Sequence, residues 1–347
     1  MDLRPKTKVL VVDDSAVLRK VISDAISAEP DLEVVATAPD PLIAREKIVR
    51  LRPDVLTLDI EMPRMDGLAF LKQLMREHPL PVIVISSLGQ ASCQATLEAL
   101  QWGAVEVLAK PAGPYSLGEL RTNLAAKIRA AAAAKIRAPA ANAKPVLEAQ
   151  AVHRFRPHTV IAIGASTGGT EAIHHVLKQM PANSPGIVIT QHIPPVFSTA
   201  FANRLNQSCA IEVKEAVDGD AVRTGRALIA PGNFHLILLR SGDTFRVRVK
   251  EGPKVCYQRP SVDVMFASVA SVAGTRAVGA LLTGMGSDGA EGLLKMKQAG
   301  AATFVQDEST SVVFGMPKEA IRLGAAEHGI PLHGIAAALL KETASRS

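Results

Sequence analysis

Val160-Ile161-Ala162-Ile163-Gly164-Ala165-Ser166-Thr167-Gly168-Gly169 reads as a buried strand, a sharp turn and a helix beginning near Thr170. The apolar run does not alternate with polar residues, as expected of a strand covered on both faces of a parallel sheet. Glycines flanking Ser166 permit a strained turn that exposes its hydroxyl, and the helix N-terminus that follows offers N–H groups to an oxyanion. Similar turns bind phosphates in dinucleotide folds, but those need Gly-x-Gly-x-x-Gly and an acidic residue about twenty positions on. Here the glycines are spaced differently, and the position reached is near Thr190-Gln191-His192. A turn made only for packing is the other reading of this stretch taken alone.

The same alternation extends in both directions. On the C-terminal side, residues 186–190, 226–230 and 277–282 read as strands, and 170–179, 262–272 and 289–298 as helices. Ser241-Gly242-Asp243 joins 235–240 to 244–250 in a β-hairpin. The first third repeats the pattern: apolar runs at 9–12, 34–37, 55–58, 82–85 and 105–108 are separated by amphipathic stretches at 15–28, 41–51, 67–77 and 91–102. Five such units predict a flavodoxin-like doubly wound α/β domain, with sites at the carboxyl ends of the strands. The second domain is predicted as another parallel-sheet, Rossmann-like α/β unit with an inserted hairpin. Between them, Ala125-Ala126-Lys127-Ile128-Arg129-Ala130 nearly recurs as Ala133-Ala134-Lys135-Ile136-Arg137-Ala138 before Pro139 and Pro145. The expected organisation is therefore a domain over 1–122, a helix end and flexible linker over 123–156, and a second domain over 157–347.

The net charge of +6 is not spread evenly. Residues 1–122 carry 14 Lys/Arg against 17 Asp/Glu, 123–156 carry 7 against 1, and 157–347 carry 18 against 15. The basic excess sits mainly in the linker and lacks interleaved aromatics for base stacking, so a solvated segment is expected rather than a nucleic-acid surface. Cys93, Cys209 and Cys256 are scattered and outside metal-ligand spacing, which fits reduced thiols in cytoplasm. No signal peptide or membrane-spanning run is expected.

Two sets of strand-end residues carry chemistry. Asp13 and Asp14 follow the first strand, Asp59 the third, Ser86 the fourth and Lys110 the fifth. In a doubly wound sheet they converge on one edge. Three carboxylates there repel unless a cation intervenes, and Mg²⁺ suits hard oxygen ligands while leaving room for a phosphoryl oxygen. Asp59 is then the phosphoryl acceptor, with Lys110 and Ser86 meeting the phosphoryl oxygens. These residues, with Asp59-Ile60-Glu61-Met62-Pro63, Asp66-Gly67 and Lys110-Pro111, resemble the response-regulator receiver family over residues 6–122. The family often has an aromatic switch residue three positions before the lysine; here that position is Val107.

In the second domain, Ser166, His192 and Asp288 each follow a strand. An aspartate in a glycine-rich loop serves equally as a helix N-cap, and a lone histidine is more often structural. Three strand ends bringing Ser, His and Asp to one edge instead predict a nucleophile, a general base and an orienting acid. The oxyanion would meet the N–H of Thr167 or the 284–286 loop, worth roughly 3 kcal/mol per donor.

With the segments Ala230-Pro231-Gly232-Asn233-Phe234-His235, Arg259-Pro260-Ser261-Val262-Asp263 and Val313-Phe314-Gly315-Met316-Pro317, the whole chain resembles the chemotaxis protein-glutamate methylesterase and glutamine deamidase family, CheB. The resemblance implies roles for Ser166, His192 and Asp288 as above and an oxyanion contact at the backbone of Met285. It further implies hydrolysis of glutamate methyl esters on chemoreceptor helices, releasing methanol, without a cofactor for that step. Implied partners are methylated chemoreceptors and a histidine kinase of the CheA type, at receptor arrays but not inserted in the membrane. The unphosphorylated receiver would cover the active site. A different serine hydrolase or amidase, and a response regulator with a binding output, are the competing functions.

Overall fold

A computed structural model describes residues 5–62, 66–87, 89–110, 116–136 and 154–344. Pro63 and Pro111 of the receiver motifs and linker residues 137–153 lie outside the described residues. The chain divides into two compact units, Met1–Ala143 and Lys144–Ser347.

The first unit alternates β1 (Thr7–Val12), α1 (Ala16–Ser27), β2 (Leu32–Ala38), α2 (Pro41–Leu51), β3 (Val55–Asp59), α3 (Gly67–Glu77), β4 (Val82–Ser86), α4 (Gln90–Gln101), β5 (Glu106–Ala109) and α5 (Ser116–Ala132). Its five strands are parallel in the order β2-β1-β3-β4-β5. The chain leaves β1 toward opposite edges, and the resulting crevice lies between the carboxyl ends of β1 and β3. Short polar side chains start the helices: Ser15 accepts from the Leu18 N–H, Asp40 from Ile43, and Asp66 from Leu68. Helix α5 ends before the second Ala-Lys-Ile-Arg copy. Leu124 and Ile128 are fully buried, whereas Ile136 is half-exposed, so only the first copy has a core to join.

The second unit contains β6 (Val160–Ala165), α6 (Gly169–Leu177), β7 (Gly186–Gln191), α7 (Phe197–Ser208), β8 (Glu212–Glu215), β9 (Ala221–Val222), β10 (Arg226–Ile229), β11 (His235–Ser241) and β12 (Thr244–Lys250). It continues through α8 (Val262–Ala273), β13 (Ala277–Leu281), α9 (Ala290–Gln298), β14 (Ala302–Gln306), α10 (Met316–Arg322), β15 (Gly329–Ile330) and α11 (Leu332–Thr343). Seven strands form a parallel sheet in the order β15-β14-β13-β6-β7-β10-β8. Strand β6 is thus the switch point: the chain builds outward through β7 on one side and later returns to add β13 on the other. The expected hairpin is β11–β12, and β9 joins it as a third antiparallel strand. Strand β8 reads Glu-Val-Lys-Glu, which gives little apolar signal and suits a charged sheet edge.

Helix α8 buries Val262, Met265, Phe266 and Val269 in the core of this unit, which fixes the helix whose N-terminus faces the site described next. Among the described residues, no helix is long and apolar enough to cross a membrane.

Candidate active site

Ser166 follows β6, His192 follows β7, and Asp288 lies in the loop between β13 and α9; these three strands are adjacent. The turn carrying Ser166 is seated by its backbone. Its N–H donates to the Thr283 carbonyl at 3.0 Å, and its carbonyl accepts from the Gly169 N–H at 2.7 Å and from Gln191 Nε2 at 2.8 Å. Gly168 sits at φ 76, where a Cβ would also strike Val312. Gly284 lies so close behind Ser166 that a Cβ there would come within 2.7 Å of Ser166 Cβ. Of the two glycines flanking Ser166, Gly168 supplies a left-handed residue and Gly164 leaves room for Val262, while Gly284 lets the β13 loop approach Ser166.

His192 is 9% exposed and its Nε2 lies 2.7 Å from Asp288 Oδ2. An ionised carboxylate only accepts, so Nε2 carries a hydrogen, and in the neutral ring it is then Nδ1 that keeps the lone pair. Nδ1 is buried and has no hydrogen-bond partner among the described residues. The imidazole is thus turned relative to triads in which Nδ1 faces the acid.

Asp288 is 2% exposed and accepts four hydrogen bonds. Oδ2 takes those of His192 Nε2 and the Val262 N–H, both at 2.7 Å; Oδ1 takes those of Ser261 Oγ at 2.7 Å and the Asp263 N–H at 3.0 Å. Burial opposes ionisation of this carboxyl, but the bond and charge of His192 and the donors at the start of α8 outweigh it and hold it below the ordinary range. Asp288 is a cap as well as the partner of His192. The helix it caps is α8, which starts 26 positions upstream of it, rather than α9, which follows it in sequence.

Neighbouring Asp263 is affected in the opposite sense. Burial pushes its carboxyl up to about 6, with the charge of Asp288 adding to the rise and the Gly292 N–H opposing it. The fold therefore favours protonated Asp263, and this contribution to stability is lost as pH rises from about 4 through about 6. Asp263→Asn is expected to raise unfolding stability at pH 8 by about 1–2 kcal/mol and to do little at pH 4. Thermal unfolding at the two pH values measures the difference.

Thr167 is 3% exposed, while the side chain of Met285 is 38% exposed at the lip of the site. The loop bearing Met285 is held by mutual bonds: the Gly284 carbonyl accepts from the Gly315 and Met316 N–H groups, and the Gly284 N–H donates to the Val313 carbonyl. This explains why the sequence around Val313–Met316 belongs with the site although none of its side chains carries chemistry.

In the first unit, Asp13 and Asp59 are 1% and 0% exposed, while Asp14 is exposed. Carboxylate oxygens of all three lie within 4.8 Å of one another. Lys110 Nζ donates to Asp59 Oδ2 at 2.7 Å, and the Glu61 N–H to Oδ1 at 2.9 Å. Burial raises the Asp59 carboxyl above its ordinary value against the pull of Lys110. Burial likewise lifts Asp13 to about 6, opposed by the Ser15 N–H and reinforced by Asp59. Asp13 Oδ2 is buried without a partner among the described residues. An orphaned carboxylate oxygen beside two further carboxylates is the donor set of a hard divalent cation such as Mg²⁺. Ser86 is fully buried at the end of β4, its hydroxyl 3.4 Å from the Ser87 carbonyl. Val107 is 5% exposed on β5, opposite Val84 of β4.

Sequence reasoning did not single out Ser261, His235 or Gln191 as parts of the site. Ser261 alone had a local signal, as a serine immediately before a helix. The other two act through contacts between residues distant in sequence.

Comparison with known proteins is consistent along the chain. A family model described as CheB methylesterase matches residues 161–339, and one described as response regulator receiver domain matches residues 9–121. Protein-glutamate methylesterase/protein-glutamine glutaminase 2 of Syntrophus aciditrophicus is 54% identical over 95% of this chain and 97% of its own. The protein of the same kind from Chromohalobacter salexigens is also 54% identical, over 97% of this chain and 96% of its own. The crystal structure of the Thermotoga maritima CheB methylesterase catalytic domain superposes with a TM-score of 0.52 at 36% identity, covering 54% of this chain and 99% of that domain.

Proposed function

Because the chain belongs to the CheB methylesterase family and carries a response regulator receiver domain, we propose that it hydrolyses glutamate methyl esters on chemoreceptor signalling helices under phosphorylation control. The observation that carries the chemistry is the 2.7 Å contact of His192 with Asp288 at the ends of strands flanking the Ser166 turn.

Ser166 Oγ attacks the ester carbonyl while its proton passes to His192 Nδ1, the nitrogen left basic by the bond to Asp288. Asp288 fixes that tautomer and stabilises the imidazolium. The N–H groups of Met285 and Thr167 receive the oxyanion. Collapse of the tetrahedral intermediate breaks the C–O bond to the methoxy group, and His192 returns the proton, releasing methanol. Water then attacks the acyl-serine with His192 again taking a proton, and the second collapse frees the glutamate carboxylate and restores Ser166. A glutamine amide would follow the same path with ammonia leaving. A receptor peptide bearing a glutamate methyl ester should be hydrolysed in preference to small esters and amides; equal rates on all three would favour a general hydrolase.

In the receiver, Asp59 accepts the phosphoryl group, and Lys110 and Ser86 bind its oxygens. Asp13, Asp14 and Asp59 would hold Mg²⁺, which when bound offsets charge between the carboxylates and the phosphoryl donor. A histidine kinase of the CheA type is the phosphodonor and methylated receptors the substrate, in the cytoplasm beside receptor arrays. The receiver over 1–122 restrains the esterase over 157–347 through the segment 123–156. Coupling of this kind is worth roughly 5- to 150-fold, so removing residues 1–150 should raise basal activity by that factor. Asp59→Asn should leave the full chain unresponsive to an acyl-phosphate donor. Unchanged activity in a folded fragment would exclude the restraint.

A further inference from the structure

Two loops behind Asp288 have no part in the steps above, yet they are tied to it by a continuous set of hydrogen bonds. The loop preceding β11 and the loop preceding α8 run side by side. The Asn233 N–H donates to the Arg259 carbonyl at 3.2 Å. The Arg259 guanidinium donates to Asn233 Oδ1 at 3.0 and 2.7 Å and to the Gly252 carbonyl at 2.6 Å. This brace sets the register of the next pair. His235 is 4% exposed; its Nε2 lies 2.9 Å from the Pro253 carbonyl, and its Nδ1 lies 3.3 Å from the Ser261 N–H. A carbonyl can only accept and an N–H can only donate, so His235 is neutral with its hydrogen on Nε2. Ser261 is fully buried, and its Oγ donates to Asp288 Oδ1 at 2.7 Å while accepting from the Val264 N–H at 3.4 Å.

We propose that Ser261 and neutral His235 are positioning residues that orient the Asp288 carboxylate toward His192. This rests on the reading of Asp288 as the acid partner of His192. With Oδ1 anchored by Ser261, the carboxylate is fixed about its terminal torsion and Oδ2 points at the imidazole. Without that hydroxyl, Oδ1 keeps only the longer Asp263 N–H bond, and the torsion loosens. Protonated His235 would turn an N–H toward the Ser261 N–H and push that residue away. Both side chains are buried, so the effect falls on the transition state, where the imidazolium needs its partner. The titratable groups around Asp288 are His192, Asp263 and Cys256, with Glu291 acting on the last two. A carboxylate that swings away from the ring stabilises the imidazolium less and makes the imidazole a weaker base.

The test is Ser261→Ala in the full chain. Its kcat should fall roughly 10- to 100-fold, the scale of one hydrogen bond to a buried charge, while KM stays within about two-fold. The acid limb of the pH–rate profile should move to lower pH, and Ser261→Thr should restore both. Nitrogen NMR of ¹⁵N-histidine-labelled protein reads the tautomer directly: His192 should be wholly Nε2–H in the native chain and mixed in Ser261→Ala. His235→Gln, which keeps an acceptor for Ser261 and a donor for Pro253, should stay near native, whereas His235→Leu should behave as Ser261→Ala does. If alanine at 261 prevents folding, Ser261→Cys keeps the volume with a weaker donor and should give a smaller shift in the same direction. A folded Ser261→Ala protein with native kcat, acid limb and His192 tautomer overturns the proposal. The tautomer measurement needs no substrate, so it decides this point even for a protein that fails to hydrolyse receptor esters.

Discussion

Ser166→Ala is expected to lower kcat for receptor methyl-ester hydrolysis by a factor on the order of 10⁴–10⁶ without a measurable loss of stability. The rate loss follows from removing the atom that forms the acyl intermediate; what remains is oxyanion binding and substrate positioning acting on water. Stability should hold because the hydrogen bonds that seat the turn belong to the backbone: the Ser166 N–H to Thr283 and the Ser166 carbonyl to Gly169 and Gln191. Steady-state kinetics beside a thermal unfolding curve checks both halves. Substantial hydrolysis by the alanine variant would mean that another group delivers the nucleophile.

Asp288→Asn should combine two losses. An asparagine amide cannot accept at both positions, so one of its N–H groups must face His192 Nε2 or the donors at the start of α8. Where it faces His192, the ring is driven to the other tautomer and Nδ1 loses the lone pair that takes the serine proton. On the scale of similar changes in other triads, kcat should drop about 10⁴-fold. In that orientation the Val262 N–H, which shares Oδ2 with His192, also goes unsatisfied, and in the other orientation the Asp263 N–H does. Either way a buried donor is left over at the first turn of α8, at a cost of about 1–3 kcal/mol. The contrast with Ser166→Ala is diagnostic. Both variants lose turnover, but only Asp288→Asn should also lower the unfolding temperature. An Asp288→Asn protein with native turnover would remove the acid from the mechanism.

The fold was legible because buried parallel strands announce themselves. Val9–Val12, Val82–Ile85 and Val160–Ile163 are unbroken apolar runs, Val55–Leu58 is interrupted only by buried Thr57, and each has a residue with chemistry close behind. Placing Asp13, Asp59 and Lys110 together, and Ser166, His192 and Asp288 on adjacent strands, needed only the rule that such sheets gather their sites at carboxyl ends. The edge strands β8 and β15 and the two-residue strand β9 were not legible, since polar or very short segments acquire their form from a partner rather than from their own pattern.

The inner workings of the site were also hidden. Nothing near Asp288 in sequence indicates that it caps a helix starting at Val262, or that the imidazole meets it through Nε2. Nor does the histidine at 235 differ in sequence from a structural one; its link to Asp288 runs through Ser261 and depends on two loops meeting in space. In both cases the deciding bonds join residues more than twenty positions apart.

Methanol release from methylated receptor membranes, incubated with the full chain and Mg²⁺ with and without an acyl-phosphate donor, reads receptor-ester hydrolysis and its control by phosphorylation together. Methanol should appear in both reactions and faster with the donor. No methanol from folded, phosphorylated protein would contradict the assignment of receptor methyl esters as its substrate.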